Sequence, residues 1–371
     1  MKVSSKVEGV IFMSSWNTDG GVSRHVTPIA YWMIKNGYKV KVLTHYRETP
    51  HGFNLEVEDE GFVERCYTLR GEKLKDLPSF NRDVLLRTLD EGYNVFVAED
   101  LGMLPMEELL EIFPKIKEKA KTVLVNHDNI PKPEDSIFWK FDWDAVINFL
   151  PEQMDFMKEH YPEDKLYLVE FPAYPKPEFS ENKEKLREFL SLPKSKKIIL
   201  LFGEYDFVDP FDVLKKYRKD NEDVFLLLLL YSVEQKNEIS KILLERFGEL
   251  YDDMRIEVST WERRAQYVMA SDLVVLDKGR KKKGEGAVLS STAFQIIGWG
   301  TPIIARKNKY FDVFDGFLET YKDDAEMLEK IGMVLEDSKV RSNLLEKQNK
   351  FYILHTPERI SSKFVWVLEN L

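Results

Sequence analysis

Short apolar runs of strand length alternate along this chain with segments whose apolar residues recur every three or four positions. The first turn of that alternation is the most informative. Val10-Ile11-Phe12-Met13 is an apolar strand, and the polar loop Ser14 to Asp19 that follows it ends in Gly20-Gly21. Val22, Val26, Ile29, Ala30, Met33 and Ile34 then recur at helical spacing. Asn36-Gly37 closes that helix, because a left-handed cap favours a residue free of a Cβ penalty. Tyr38 to Leu43 is extended again. The spacing predicts a βαβ unit whose first turn sets bare backbone amides at a helix N-terminus, where a phosphate or sugar can dock. A plain tight turn would use the same two glycines.

The pattern continues through the first half. Strands are predicted at Val7 to Met13, Tyr38 to Leu43, Val63 to Leu69, Asn94 to Ala98, Thr122 to Asn126, Ala145 to Phe149 and Lys165 to Glu170. Helices are predicted at Asn81 to Leu89, Met106 to Lys119 and Glu152 to His160. Prolines 172, 175 and 177 then make a stiff connector, and the domain boundary is placed there. The second half restarts with strands at Lys197 to Phe202, Val224 to Leu230, Arg255 to Ser259, Leu273 to Leu276 and Pro302 to Ala305. Its helices are Pro210 to Tyr217, Val233 to Phe247, Glu262 to Met269, Thr292 to Ile297 and Ala325 to Leu335, followed by Lys339 to Gln348 and Pro357 to Leu371. The expected fold class is α/β, with two Rossmann-like doubly wound domains facing a cleft: residues 1–172, residues 173–355, and a last helix in 356–371.

Composition narrows the picture. At 371 residues two domains are the default, and 43% hydrophobic with 32% charged residues describes an ordinary globular chain. The longest apolar run, Val224 to Tyr231, falls far short of the ~20 residues that cross a bilayer and reads as a strand buried on both faces. No charged-then-apolar leader opens the sequence, so secretion is not expected and the cytoplasm is. A single cysteine, Cys66, excludes an internal disulfide and a cysteine-rich metal site. A net charge of −10 argues against a nucleic-acid partner. The abundance of Lys and Glu suits a thermophile.

A second informative segment comprises Ala270-Ser-Asp-Leu-Val-Val-Leu, then Gly284-Glu-Gly, then Gln295-Ile-Ile-Gly-Trp-Gly-Thr-Pro-Ile-Ile-Ala. With Gly20-Gly21, Ile198-Ile-Leu-Leu-Phe-Gly203, Asn126-His127-Asp128 and Asp144-Ala-Val-Ile-Asn, it resembles the retaining GT-B glycosyltransferases of family 4. The matches follow the family's order over nearly the whole chain. The resemblance implies transfer of a sugar from a nucleotide-diphosphate donor to an acceptor hydroxyl with retained configuration, by a retaining hexosyltransferase. Such a reaction must stabilise a departing diphosphate and an oxocarbenium-like sugar. Amides and cations can hold the phosphates, so no metal and no cofactor is expected, and no His/Asp cluster with metal spacing is visible. The resemblance also implies that the final helix packs back on the first domain.

Carried over residue by residue, Gly20 and Gly21 match the glycine loop that approaches donor or acceptor. His127 matches the histidine beside the reacting sugar; as a lone histidine it could equally be structural. Asp128 could be the N-cap of a following turn. Glu285 matches the first glutamate of the family's acidic pair, expected on the donor sugar's hydroxyls. Ser290, Ser291 and Thr292 stand where the next helix begins, as caps or as neighbours of the donor phosphates. Gln295 falls on the second glutamate and could donate to a ribose hydroxyl. The catalytic candidates are therefore His127 and Glu285, and the donor-binding candidates are Gly20, Gly21, Lys283, Ser290, Ser291, Thr292 and Gln295.

Three departures stand against this pattern. Glu285 and Gln295 lie ten positions apart, two more than the family's pair. Glu204 stands where the family has an arginine, and Asp209 stands near its lysine. Unit charges ~4 Å apart interact by about 4 kcal/mol at an effective dielectric near 20, enough to abolish diphosphate binding unless other cations compensate. Arg280 and Lys281 to Lys283, just before Glu285, are the candidate replacements; a solvated charged loop is the plain alternative. The row Lys115, Lys117, Lys119 and Lys121, with Phe113 and Ile116 able to insert, raises a peripheral contact with the inner membrane face. It reads equally as a solvated helix face. The partners expected are a nucleotide sugar and an acceptor that is a glycan, a glycolipid or a small molecule. Two other functions fit the same features: a catalytically degenerate GT-B-fold binding protein, supported by Glu204, Asp209 and Gln295, and a sugar-nucleotide epimerase.

Overall fold

The computed structural model describes residues 7–48, 55, 57–130, 137–178, 182–204, 211–231, 252–256, 260–278 and 286–371. Its first sheet contains β1 (Gly9–Met13), β2 (Lys39–His45), β3 (Val63–Tyr67), β4 (Val95–Glu99), β5 (Lys121–Val125), β6 (Ala145–Asn148) and β7 (Leu166–Leu168). Between these strands run α1 (Gly21–Lys35), α2 (Arg82–Asp90), α3 (Met106–Lys119) and α4 (Pro151–Met157). The second sheet contains β8 (Lys197–Glu204), β9 (Val224–Tyr231), β10 (Asp253–Ile256), β11 (Leu273–Leu276), β12 (Ile303–Arg306) and β13 (Glu319–Tyr321). Its described helices are α5 (Lys183–Phe189), α6 (Phe211–Asp220), α7 (Trp261–Ala270), α8 (Ser291–Ile296), α9 (Asp324–Glu336) and α10 (Ser338–Leu354); α11 (Pro357–Glu369) ends the chain.

Strand order is β3-β2-β1-β4-β5-β6-β7 in one sheet and β10-β9-β8-β11-β12-β13 in the other, and every pairing is parallel. The winding therefore reverses between β1 and β4 and again between β8 and β11, the switch points where parallel sheets bind ligands. Contacts divide the chain into two units. One contains Met1–Pro172, Glu285–Ala287 and Pro357–Leu371; the other contains Ala173–Gly284 and Val288–Thr356. Within the first unit α11 lies against α1, with Phe364 stacked near Phe12 and Lys363 paired to Glu170 at 2.7 Å.

Helices cover both faces of such sheets, so the central strands are largely apolar. Val10 to Met13 of β1 are fully buried, and Leu226 to Leu229 of β9 are no more than 1% exposed. The lysine row meets the same logic. Phe113 and Ile116 are buried in the core of the first unit, Phe113 packing edge-on to Phe141 and Trp143. They are not available for membrane insertion, because α3 turns its apolar face to the sheet. On its outer side Lys117 pairs with Asp142 and Asp144, and Lys119 with Asp90. Among the described residues no helix is long and apolar enough to cross a membrane.

Element boundaries differ from expectation at the sheet edges. The predicted strand Arg255 to Ser259 begins earlier, as β10 at Asp253, with residues 257–259 outside the described set. β13 was not predicted; its sequence Glu319-Thr320-Tyr321 is short and half polar. The predicted helix Val233 to Phe247 lies outside the described residues.

One device recurs where strands begin. The residue just before β4, β6, β10 and β11 is an Asn or Asp whose backbone and side chain both bond one residue on the neighbouring strand. Asn94 N–H donates to Gly9 O at 3.0 Å while its Oδ1 accepts from Gly9 N–H at 3.3 Å. Asp144 does the same with Thr122, at 2.9 and 2.8 Å. Asp252 does so with Leu226, at 3.1 and 2.9 Å, and Asp272 with Ile198, both at 2.8 Å. Each side chain satisfies an N–H that would otherwise be unpaired at the entrance to a buried strand. Asp272 also accepts from Arg187 at 2.6 Å and Lys183 at 2.9 Å, tying α5 to the same edge.

Burial raises the Asp272 pKa, but Lys183, the Ile198 N–H and Arg187 outweigh it and hold the carboxyl below its ordinary value. A depressed folded pKa adds stability above the unfolded value, about 3.9, that is lost as pH falls through the folded value. Asp272→Ala, which also takes the carboxylate partner from the nearly buried Arg187 guanidinium, is expected to cost about 3 kcal/mol at pH 7. The deficit should shrink as pH falls below that unfolded value, as urea titrations at pH 7 and in acid would measure.

Candidate functional site

In the first unit the chain leaves β1 through Ser14 to Gly20, a loop held from several sides. Ser14 N–H donates to Leu43 O and Trp16 N–H to Thr44 Oγ1. The buried Trp16 ring meets Tyr31 and Phe62, and its indole N–H donates to Glu60. The loop ends at Gly20, the N-cap of α1, which is extended (φ −114°) and has no side-chain cap bond. A Cβ on Gly20 would meet only Thr18 Oγ1, at 3.7 Å, so neither space nor backbone geometry demands glycine there. What Gly20 and Gly21 supply is unobstructed peptide at the start of a 15-residue helix. Arg24 in the first turn forms a buried ion pair with Asp19.

The residue after Arg24 is the first that sequence reasoning missed. His25 is fully buried, its ring among those of Phe149 (4.8 Å between centroids), Phe171 (5.4 Å) and Phe364 (6.2 Å). Its Nδ1 lies 3.0 and 3.2 Å from the two carboxylate oxygens of Glu99, the last residue of β4 and also buried. Glu99 Oε2 in turn lies 2.8 Å from Nε2 of His127, two residues beyond β5. The His127 side chain is 9% exposed and packs edge-on to Phe149 and His25. Thus the carboxyl ends of β4 and β5, beside the switch point, converge on a His25–Glu99–His127 cluster. Two imidazoles and a carboxylate within 4.8 Å of one another are also the donor set of a metal site. Here, however, the carboxylate already meets a nitrogen of each ring at hydrogen-bond distance, so the three side chains satisfy one another.

Burial governs its charges. It drives the His25 pKa down to about 3, so the ring is neutral at physiological pH. Burial also lowers His127, with Glu99 opposing the shift, and raises Glu99, with His127 opposing it. Nε2 of His25 has no hydrogen-bond partner among the described residues. A bare lone pair there is tolerable against aromatic rings, whereas a buried orphan N–H would cost more, so His25 takes the Nδ1–H tautomer and donates to Glu99.

A polar frame fixes the loop that carries His127. Asn126 Nδ2 donates to Asn148 Oδ1 at 3.0 Å, and Asp128 N–H donates to Asn126 Oδ1 at 3.0 Å. The turn at Asp128 is thus held by Asn126's side chain. Gln153, 2% exposed on α4, donates to the carbonyls of both Asn126 and Asp128 and accepts from the N–H groups of Phe149 and Leu150. His127 is held between two clamped neighbours. Just beyond it, Asn129 O accepts from Ala287 N–H at 2.6 Å, and Gly286, at φ +70°, approaches so closely that a Cβ would sit 1.9 Å from that oxygen.

Glu285 itself, Lys281 to Lys283, Arg280 and Asp209 lie outside the described residues. Glu204 ends β8, pairing in the ladder with Tyr231. In the second unit Ser290 caps α8, its Oγ accepting from Ala293 N–H at 3.3 Å. Ser291 and Thr292 form the first turn, and Gln295 is buried with its Oε1 accepting from Arg264 at 2.7 Å. The structure therefore gathers Gly20, Gly21 and His127 around one switch point of the first unit and strings Ser290 to Gln295 along one helix of the second.

No family model matches the sequence. Solved structures that share the fold over nearly their whole lengths include the following three. A glycosyltransferase from Rickettsia africae is 14% identical, with a TM-score of 0.67 and 97% of each chain covered. Sucrose-phosphate synthase from Thermosynechococcus elongatus is 15% identical at a TM-score of 0.63, covering 97% of this chain and 98% of that one. HepE of Anabaena, solved with UDP and glucose, is 15% identical at 0.63, covering 98% and 100%. The fold is the α/β GT-B architecture of glycosyltransferases, with two parallel Rossmann-like sheets.

Replacing Gln153 by Leu, which strands two N–H groups and two carbonyls, is expected to cost about 2–4 kcal/mol. It should also speed amide hydrogen exchange at Phe149 and Leu150. Gly20→Ala, by contrast, is expected to stay within about 1 kcal/mol of wild type. Denaturant titration with exchange mass spectrometry checks both.

Proposed function

We propose that this chain is a retaining hexosyltransferase that moves a sugar from a nucleoside-diphosphate donor to an acceptor hydroxyl without a metal ion. The observation that carries the reading is His127. It is a neutral, slightly exposed imidazole at the carboxyl end of a central strand, bonded by Glu99 and set between two neighbours, Asn126 and Asp128, whose carbonyls Gln153 holds. The GT-B fold supports the same reading, as does the binding of UDP and glucose by Anabaena HepE.

In this scheme the amides at Gly20 and Gly21 approach donor or acceptor, and His127 hydrogen-bonds the reacting sugar. Glu285 holds the donor's hydroxyls. The amides and hydroxyls of Ser290, Ser291 and Thr292 face its phosphates. Lys283, with its basic neighbours, supplies the positive charge that Glu204 and Asp209 withhold. Gln295, its Oε1 engaged by Arg264, keeps an amide for the ribose. Because both histidines are uncharged, the developing oxocarbenium ion meets no imidazolium.

A thermal-shift screen over UDP-, GDP-, ADP- and dTDP-sugars, followed by donor hydrolysis without acceptor, tests the reading. One donor, with UDP-glucose the first to try, should raise the melting temperature and be hydrolysed. His127→Ala should then lower kcat/KM roughly 10²-fold or more. Stabilisation by no nucleotide would instead favour a GT-B-fold binding protein.

A further inference from the structure

Glu99 is chemically out of place. A carboxylate with no solvent exposure needs N–H donors or cations, yet among the described residues its side-chain partners are two neutral imidazoles. The chain goes to some length to put it there. Glu99 follows four apolar residues at the end of β4, and Asp100 after it turns away in the left-handed region at φ +57°, its N–H held by Val125 O at 3.2 Å. His25 is the counterpart. It spends a fully buried position on a ring whose one polar contact among the described residues is with Glu99, and its other nitrogen is left without a partner there.

The direction of the bonds follows from these facts. His25 must donate from Nδ1, since otherwise its buried Nε2 would carry an orphan N–H. A carboxylate so supplied accepts from the second ring as well, which makes the 2.8 Å contact an Nε2–H donation from His127. The remaining nitrogen of His127, Nδ1, is then an acceptor on the only partly exposed side chain of the three.

We propose that Glu99 and His25 are positioning residues: Glu99, oriented by His25, locks His127 as its Nε2–H tautomer and presents Nδ1 as an acceptor for a sugar hydroxyl. This rests on the transferase reading for the identity of the hydroxyl, but the tautomer assignment does not. The carboxylate does for His127 what a buried acid does for any catalytic imidazole, fixing which nitrogen faces the ligand. His25 keeps that carboxylate from rotating and supplies the second donor it needs in a dry site. A protonated Nδ1 would instead demand an acceptor from the ligand, and specificity would run the other way.

The test is ¹⁵N-histidine NMR on the full chain, with the resonances assigned from His25→Phe and His127→Gln, followed by donor hydrolysis with each folded variant. The expected spectrum shows His25 as Nδ1–H and His127 as Nε2–H, each as a single tautomer. In Glu99→Gln, whose amide can donate or accept, His127 should become a tautomer mixture. Turnover per folded molecule should then fall roughly 10²-fold with KM changed less than about threefold. A wild-type His127 protonated at Nδ1, or already a mixture, overturns the proposal even if no Glu99 variant folds. Unchanged kcat in a folded Glu99→Gln overturns it as well. An Nε2–H His127 in a protein that binds no nucleotide sugar keeps the locked tautomer and removes the transferase reading alone.

Discussion

Parallel strands sandwiched between helices must be apolar on both faces, and that requirement organises the whole chain. Polar side chains cannot sit along β1, β4, β5, β8 or β9, so they are pushed to the strand ends, where they acquire distinct work at each edge. At the entering edge Asn94, Asp144, Asp252 and Asp272 cap neighbouring N–H groups. At the leaving edge of the first sheet stand Glu99, Asn126, His127 and Asn148. The candidate site is a consequence of this sorting: chemistry collects where the strands stop because the sheet allows it nowhere else.

Within that crest the same physical answer appears twice. A loop cannot be rigid through its own backbone bonds alone, so a side chain with both donors and acceptors, or with two acceptors, is buried beside it. Gln153 uses its amide to join the loop after β5 to the entrance of α4. Glu99 uses its two oxygens to join α1 to the loop after β5. Both are costly to place in a dry interior, and both become favourable once every lone pair and N–H is matched. His127 sits where the two braces meet.

Much of this architecture could be read from periodicity, because two faces of burial and the helical repeat each leave a strong one-dimensional trace. The strand–glycine–helix unit at Val10 to Ile34 and the restart after Pro177 are of that kind. Edge strand β13 left no trace, being three residues with one of them apolar. His127 was visible as a polar residue closing an apolar strand. Its two partners were not: His25 lies on the helix face already assigned to the core, and Glu99 reads as an ordinary strand terminator. Their meeting joins positions 74 apart and depends on the order of strands in the sheet, which no local pattern encodes. The membrane reading of Phe113 and Ile116 failed for the complementary reason, since an amphipathic helix does not announce which apolar surface will cover it.

The paired bonds at the entering edge have a consequence for how the second sheet finds its alignment. β9 carries five successive leucines, so sliding β10 along it would exchange leucine for leucine and change hydrophobic burial very little. Asp252 removes that degeneracy: shifted by one or two places, it would lose both of its bonds to Leu226 at once and leave a carboxylate facing an apolar run. Asp272 imposes the same condition on β11 against Ile198. A homopolymeric strand can thus be used for bulk cohesion because a single acidic residue beside it does the counting.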